Sequence, residues 1–295
     1  MNGFRVSKYG FGVAYNCCMR FVLAALLCLG LCAMAGGSAA AVQAPASHQH
    51  ADALLRTAGA GGVLLDWKTG AVMASVSAER AAAPGSALKP LLLAYALDHG
   101  IVQAHTQVYC RRSLHVAGRA LLCTHPDDEP MKDAEAALAA SCNTWFAAMA
   151  RRMSAEDLDT ALRQAGVAHG GVRLQDADAR ALAVLGVEGI SITPMQMAVA
   201  YRALLLRVTR DGVVWRGLRD SVAFGMANNA RLKGVEVLGK TGTANNPGEW
   251  WSHGWFTGAV QDRYVLVVYV PRGDGGVAAT LAANVLRGLL QEDAR

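Results

Sequence analysis

Residues 61–76 read GGVLLDWKTGAVMASV, and this stretch decides the architecture. Val63, Leu64 and Leu65 make a short apolar run, Asp66-Trp67-Lys68-Thr69-Gly70 carries turn chemistry, and Val72-Met73 begins a second run. Short apolar runs bounded by such residues predict strand, turn, strand. Lys68-Thr69-Gly70 belongs to that turn, with Gly70 at the position that needs positive φ. A hairpin alone cannot bury a core, so partner strands are needed elsewhere.

Those partners lie at the far end of the chain. Residues 264–270, YVLVVYV, are nearly all β-formers, and 235–244 and 255–260 are further strand candidates. Residues 278–291 close the chain as an amphipathic helix. Between the two strand regions the pattern is helical. Ser86 opens a helix that runs to about His99 and stops at Gly100. Residues 101–130 are irregular, and 132–152 and 154–165 read as helices. Thr193-Pro194 opens another, with Met197, Ala200, Tyr201 and Leu204 at i, i+3, i+4 and i+7. The expected fold class is α/β of the α+β type: one antiparallel sheet built from both chain ends, with flanking helices and a helical insertion. The expected division is a targeting segment at 1–44, a linker at 45–59 and one domain at 60–295. Within it, 60–82 and 233–295 form the sheet part and 83–232 the helical part.

The chain has 295 residues, 53% hydrophobic and 17% charged, which excludes an intrinsically disordered polymer. Seven cysteines are too few for a disulfide miniprotein of this length. Net charge is +5, but Arg5, Lys8 and Arg20 precede the first acidic residue, Asp52, and the remainder carries only +2. No nucleic-acid footprint follows. Residues 19–44 read as an export signal: Arg20, an apolar stretch from Phe21 to Ala35, then a small-residue region around Ala39-Ala40-Ala41. Cleavage, with a location in the periplasm or cell envelope, is preferred over a retained anchor, and Met19 serves equally well as a start.

Cys17, Cys18, Cys28 and Cys32 fall in that segment, leaving Cys110, Cys123 and Cys142 in the domain. An odd number in an oxidising compartment suggests one bridge and one free thiol. Cys110 and Cys123 are the expected disulfide, since the short loop between them closes easily. The rival is a metal site that adds His115 or His125; no C-x2-C or H-x3-H spacing supports it, and no metal is assigned.

Three short motifs occur in order. Ser86-Ala87-Leu88-Lys89 puts a hydroxyl and an amine on one helix face, and the amine becomes a base only if burial and a second cation lower its pKa. Ser141-Cys142-Asn143 offers a proton-relaying hydroxyl and an amide that can hold Lys89 and a substrate carbonyl. Lys240-Thr241-Gly242-Thr243, on a predicted strand, offers a cation, two hydroxyls for a carboxylate, and a glycine that lets a substrate backbone approach. Each triplet alone is weak. Their order and settings raise them together. Nearby, Trp250 or Trp251 are candidates to touch substrate, Trp255 reads as core, His253 as structural, and Glu249 as a loose candidate for deacylation.

The sequence resembles the serine penicillin-binding transpeptidases and their β-lactamase relatives. The likeness extends beyond the motifs to Pro84-Gly85-Ser86-Ala87-Leu88-Lys89-Pro90, to 137–146, to Ile192-Thr193-Pro194-Met195-Gln196-Met197-Ala198, to Gly239–Ala244 and to Trp255-Phe256-Thr257-Gly258. It covers about 60–290. The stretch between Asn143 and Lys240 is shorter than in typical members, and Pro126 follows His125 where relatives often carry Gly. The resemblance implies that Ser86 is acylated by a D-Ala-D-Ala peptide or a β-lactam. Lys89 is then the base, Ser141 the relay, and Asn143 a substrate-binding group. Lys240 and Thr241 engage the relay and the substrate carboxylate, Thr243 assists, and backbone N–H groups of Ser86 and Thr243 form the oxyanion hole. The partners implied are peptidoglycan stem peptides and β-lactams, together with other envelope proteins, and no cofactor is implied. A β-lactamase and a non-catalytic penicillin-binding sensor are the alternatives to a D,D-transpeptidase or D,D-carboxypeptidase. No E-x-x-L-N lies between Asn143 and Lys240, and that favours the peptidase.

Overall fold

A computed structural model describes residues 46–126, 129–260 and 262–294. The export segment expected at 1–44, with its four cysteines, lies outside the described residues. Among those described, no helix is long and apolar enough to cross a membrane.

The first element corrects an expectation. The linker at 45–59 is largely a helix, α1 (Ala46–Thr57), because Ala51 and Leu55, one turn apart, are buried. Two strands follow, β1 (Gly61–Asp66) and β2 (Val72–Val76), joined by the predicted turn. The Asp66 carboxylate accepts from the Thr69 amide and hydroxyl, both at 2.7 Å, which closes that turn and keeps its pKa low. Lys68-Thr69-Gly70 is therefore structural.

Ser86 sits in a 3-10 turn, Gly85–Leu88, that runs into α2 (Lys89–Asp98). The irregular segment contains two short ribbons, β3 (Val108–Tyr109) with β6 (Met131–Lys132), and β4 (His115–Val116) with β5 (Arg119–Ala120). The continuous helix expected over 132–152 is broken into α3 (Ala134–Ala139) and α4 (Asn143–Arg152). Then come α5 (Ala155–Gln164), α6 (Ala177–Val184), α7 (Pro194–Arg207) and α8 (Val213–Ala223). Thr193 caps α7 reciprocally with Gln196, so the Thr-Pro start signal is realised. The chain ends with β7 (Val237–Ala244), β8 (His253–Val260), β9 (Tyr264–Val270) and α9 (Gly275–Asp293).

The main sheet is antiparallel, in the order β2-β1-β9-β8-β7, so strands from both chain ends meet at the β1–β9 pair. Both faces of β9 are covered. Val265, Val267 and Tyr269 point to the core shared with the helical part. Leu266, Val268 and Val270 point to the core under α1 and α9. That double burial explains the unbroken apolar run in the sequence. β7 is the edge strand facing the Ser86 turn, and this register presents Lys240 opposite Thr257 and Gly242 opposite Trp255.

Candidate active site

The Ser86 turn is held against the sheet from several sides. The Trp255 indole and the His253 Nε2–H both donate to the Ala83 carbonyl, at 2.9 and 2.7 Å. A carbonyl only accepts, so His253 carries its proton on Nε2, and burial lowers its pKa. The Tyr201 hydroxyl on α7 donates to the Ala87 carbonyl at 2.6 Å. Gly85 has φ +53, and a Cβ there would fall 2.5 Å from the Thr243 carbonyl oxygen and 2.8 Å from its nitrogen. A Cβ on Gly242 would fall 2.2 Å from the Pro84 carbonyl oxygen. The missing side chain of Gly242 is thus used by the chain's own turn, where a substrate backbone was expected.

The broken helix supplies the second motif. Ser141 has φ 55, the Ser141 amide donates to Leu138 and the Cys142 amide to Ala137. This is a Schellman-type helix end, where glycine is the usual left-handed residue. A serine there is disfavoured by about 1–2 kcal/mol. The backbone strain points to use of its side chain. Sequence periodicity could not reveal the break, because neither Gly nor Pro marks it.

Lys89 is fully buried, and its Nζ lies 2.8 Å from the Ser141 carbonyl, 2.7 Å from Asn143 Oδ1 and 3.4 Å from Ser141 Oγ. The Asn143 amide orientation is fixed because its Nδ2 donates to the carbonyls of Leu122, at 3.0 Å, and Leu121, at 3.4 Å. Lys240 is also fully buried and donates to Ser141 Oγ at 2.8 Å and to the Thr241 carbonyl at 3.1 Å. Burial pushes the Lys89 amine down to about 8. Burial and the neighbouring Lys89 charge push Lys240 well below the usual lysine range. This is the environment a lysine base requires.

Ser86, Ser141, Asn143, Thr241, Gly242 and Thr243 line one cleft of about 200 Å³. Leu122, Thr124 and Met226 complete it, and no motif in the sequence singled them out. Two larger cavities, of about 510 and 780 Å³, include neither Ser86 nor the two lysines. Chemistry, and not volume, selects the smaller cleft. The threonines differ. Thr241 Oγ1 donates to the Met226 carbonyl at 3.2 Å, whereas Thr243 Oγ1 accepts from the Gly275 amide at 2.9 Å and keeps its own proton for a ligand. Thr241, which the sequence reading put first on the carboxylate, thus spends its hydroxyl proton within the chain in this geometry.

The remaining expectations divide. Trp255 is core, as read. Trp250 is 87% exposed, and Trp251 lies against it and under the Arg272 guanidinium. Glu249 pairs with Arg80 and accepts from Asn246, and it lines a cavity without Ser86. Cys110 and Cys123 are free thiols whose sulfurs stand 3.5 Å apart, so the predicted disulfide is not formed. They meet Cys142 and His125, all four buried, with ligand atoms within 4.8 Å of one another. His115 is exposed on β4 and takes no part.

The family model described as the penicillin binding protein transpeptidase domain matches residues 60–210. The match stops short of β7, so Lys240-Thr241-Gly242-Thr243 rests on geometry. Among solved structures, the D,D-transpeptidase domain of a peptidoglycan glycosyltransferase from Eggerthella lenta is 20% identical, with a TM-score of 0.72, over 84% of this chain and 81% of that one. The transpeptidase domain of penicillin-binding protein 3 from Burkholderia pseudomallei is 19% identical, with a TM-score of 0.71, over 83% and 92%. A peptidoglycan glycosyltransferase from Burkholderia ambifaria is 19% identical, with a TM-score of 0.69, over 84% and 93%. These likenesses establish the fold. No curated protein matches the chain.

Proposed function

The chain belongs to the penicillin-binding protein transpeptidase domain family, and from that premise we propose that it is an acyl-serine D,D-transpeptidase or D,D-carboxypeptidase acting on peptidoglycan peptides and acylated by β-lactams. The observation that carries this reading is the convergence of two buried amines on one hydroxyl oxygen, Ser141 Oγ, in the cleft that Ser86 lines.

Neutral Lys89 has two N–H bonds, and two obligate acceptors, the Ser141 carbonyl and Asn143 Oδ1, take them. Its lone pair is then left for a hydroxyl proton. Ser86 Oγ loses its proton to Lys89 and attacks the carbonyl of the penultimate D-Ala. The oxyanion receives the backbone N–H groups of Ser86 and Thr243, whose segments touch at Gly85. On collapse, the C–N bond breaks and terminal D-Ala leaves as an amine, with the proton returned from Lys89 through Ser141. Lys240 holds the relay oxygen, and the Thr243 hydroxyl donates to the terminal carboxylate. The ester on Ser86 is then released by water or by a peptide amine. A β-lactam follows the same first half, but its leaving nitrogen stays tethered to the acyl group.

The described residues lining the cleft include no carboxylate. With no such base to activate water, a long-lived penicillin ester is favoured over β-lactamase turnover. In this reading the chain works in the cell envelope, exported by residues 19–44, among other envelope proteins. Intact mass followed over time after exposure to benzylpenicillin tests it. One adduct that persists for wild type and is absent in Ser86→Ala is expected. Equal labelling of both proteins rejects Ser86, and rapid loss of the adduct with turnover of a chromogenic cephalosporin makes it a β-lactamase. Stable acylation without any D-Ala release from a stem-peptide substrate makes it a sensor.

A further inference from the structure

Three thiols and one imidazole come together directly behind the Ser141–Asn143 segment. Cys110, Cys123, His125 and Cys142 are each at most 6% exposed. The sulfurs of Cys110 and Cys123 are 3.5 Å apart, those of Cys123 and Cys142 are 3.9 Å apart, and Cys110 Sγ is 3.5 Å from His125 Nε2. A disulfide needs about 2.05 Å and uses two of the three sulfurs. A tetrahedral zinc ion with Zn–S of about 2.3 Å and Zn–N of about 2.0–2.1 Å gives ligand edges of about 3.8 Å between sulfurs and about 3.6 Å from sulfur to nitrogen. The three separations given are close to those edges, and all four ligand atoms lie within 4.8 Å of one another.

A second observation is independent of the sulfurs. His125 Nδ1 stands 2.8 Å from the Pro126 carbonyl. A carbonyl only accepts, so Nδ1 carries the proton and Nε2 turns a bare lone pair toward Cys110. Histidines that ligate metals are oriented in this way. The Thr144 hydroxyl stands 3.7 Å from both Cys110 and Cys123, where its one proton can go to one thiolate while its oxygen stays within reach of the other sulfur. Cys142 is the cap of α4, where the positive end of the helix favours a negative sulfur.

We propose that Cys110, Cys123, Cys142 and His125 Nε2 bind one zinc ion in a tetrahedral Cys3His site. Binding releases three thiol protons and leaves a site of net charge −1. The ion ties the two arms of the irregular segment to the start of α4. Cys142 separates Ser141 from Asn143, and Asn143 already holds the carbonyls of Leu121 and Leu122, just before Cys123. The metal is therefore a clamp that fixes the relay serine and the amide that orient Lys89. No substrate touches it, and its presence does not depend on which acyl acceptor the enzyme uses.

Metal analysis of the purified full chain tests the site without reference to acylation. About one zinc per chain is expected, and replacement by cobalt should give the intense visible ligand-field bands of a tetrahedral, thiolate-ligated ion. Cys123→Ser and His125→Ala should each bring the zinc content close to zero. Should either variant fail to fold, the cobalt spectrum of the wild type decides alone. Wild-type protein without metal whose mass shows a Cys110–Cys123 disulfide, or whose three thiols all react freely after unfolding, overturns the proposal. So does a zinc content that folded Cys123→Ser and His125→Ala leave unchanged.

Discussion

Lys240 Nζ donates to Ser141 Oγ at 2.8 Å, so a buried amine and a strained serine share one bond at the centre of the cleft. Lys89 Nζ stands 3.4 Å from the same oxygen. A hydroxyl has one proton to give and two lone pairs. With Lys240 donating to one lone pair, the Ser141 proton is free to point at Lys89. Two protonated amines around one oxygen in a dry site repel, and burial already disfavours both charges. The arrangement therefore favours one neutral and one charged lysine, with Ser141 passing protons between them.

The first prediction concerns pH. Lys89 acts as a base only when neutral, and burial lowers its pKa to about 8. Acylation by penicillin should fall as pH drops through about 8 and flatten above it. At pH 6 the rate should be about 100-fold below the plateau, since that is the neutral fraction of such an amine. Lys89→Met should remove about 10²–10⁴-fold of rate and abolish this limb. Stopped-flow acylation from pH 6 to 9 reads both, and a flat wild-type profile would exclude Lys89 as the base.

Ser141 separates backbone strain from chemistry. Its φ of 55 favours glycine, while its hydroxyl serves the two lysines. Ser141→Ala and Ser141→Gly both delete the hydroxyl, so both should slow acylation to a similar degree. Only the glycine variant relieves the left-handed strain, of about 1–2 kcal/mol, offset in part by the unfolded-chain entropy of glycine, about 0.5–1 kcal/mol. Urea unfolding should rank Ser141→Gly above Ser141→Ala in stability by up to about 1 kcal/mol. The reverse ranking would mean that the left-handed turn is not strained.

The sheet was legible because its signal is redundant. Each strand carries β-forming residues bounded by turn or glycine signals, and Tyr264–Val270 is buried on both faces. The Ser86, Ser141 and Lys240 triplets were legible as chemistry in order. Three things were not. The helix break at Ser141 carries no Gly or Pro, because the hydroxyl occupies the glycine position. The helix at Ala46–Thr57 is too short to be stable alone and is held by burying Ala51 and Leu55. The convergence of Cys110, Cys123 and His125 on Cys142 depends on how an irregular segment folds back, and neither spacing nor periodicity encodes that.

The two threonines of β7 should not be equivalent. Thr243 keeps a proton to donate, while Thr241 has given its own to the Met226 carbonyl. A hydrogen bond to a charged group contributes about 1.5–3 kcal/mol, or roughly 10–150-fold in rate if made in the transition state. Thr243→Ala should slow acylation by benzylpenicillin within that range, and Thr243→Ser should restore it. The methyl ester of the same penicillin, which lacks the anionic group, should be much less sensitive. Thr241→Val should have the smaller effect on benzylpenicillin. A larger effect from Thr241→Val than from Thr243→Ala would show that the hydroxyls exchange partners when ligand arrives.

Gly242 decides how closely β7 can approach the Ser86 turn. A Cβ at this position meets the Pro84 carbonyl oxygen at 2.2 Å, the Ala87 nitrogen at 2.9 Å and the Ala87 Cβ at 3.0 Å. All three belong to the buried turn, and two are backbone atoms with no freedom to swing aside. Gly242→Ala must push the turn away from the strand. Overpacking of this kind destabilises by about 1–3 kcal/mol. The same displacement parts the Ser86 and Thr243 amides, so acylation should fall further than the stability loss alone would cause. Gly234→Ala is the control for a glycine with nothing within 4 Å of its Cβ, although its φ of +74 still strains the alanine. It should lose about 1–2 kcal/mol from that strain and keep its acylation rate. Equal acylation by Gly242→Ala and wild type would show that the turn and the strand can separate without loss of the oxyanion site.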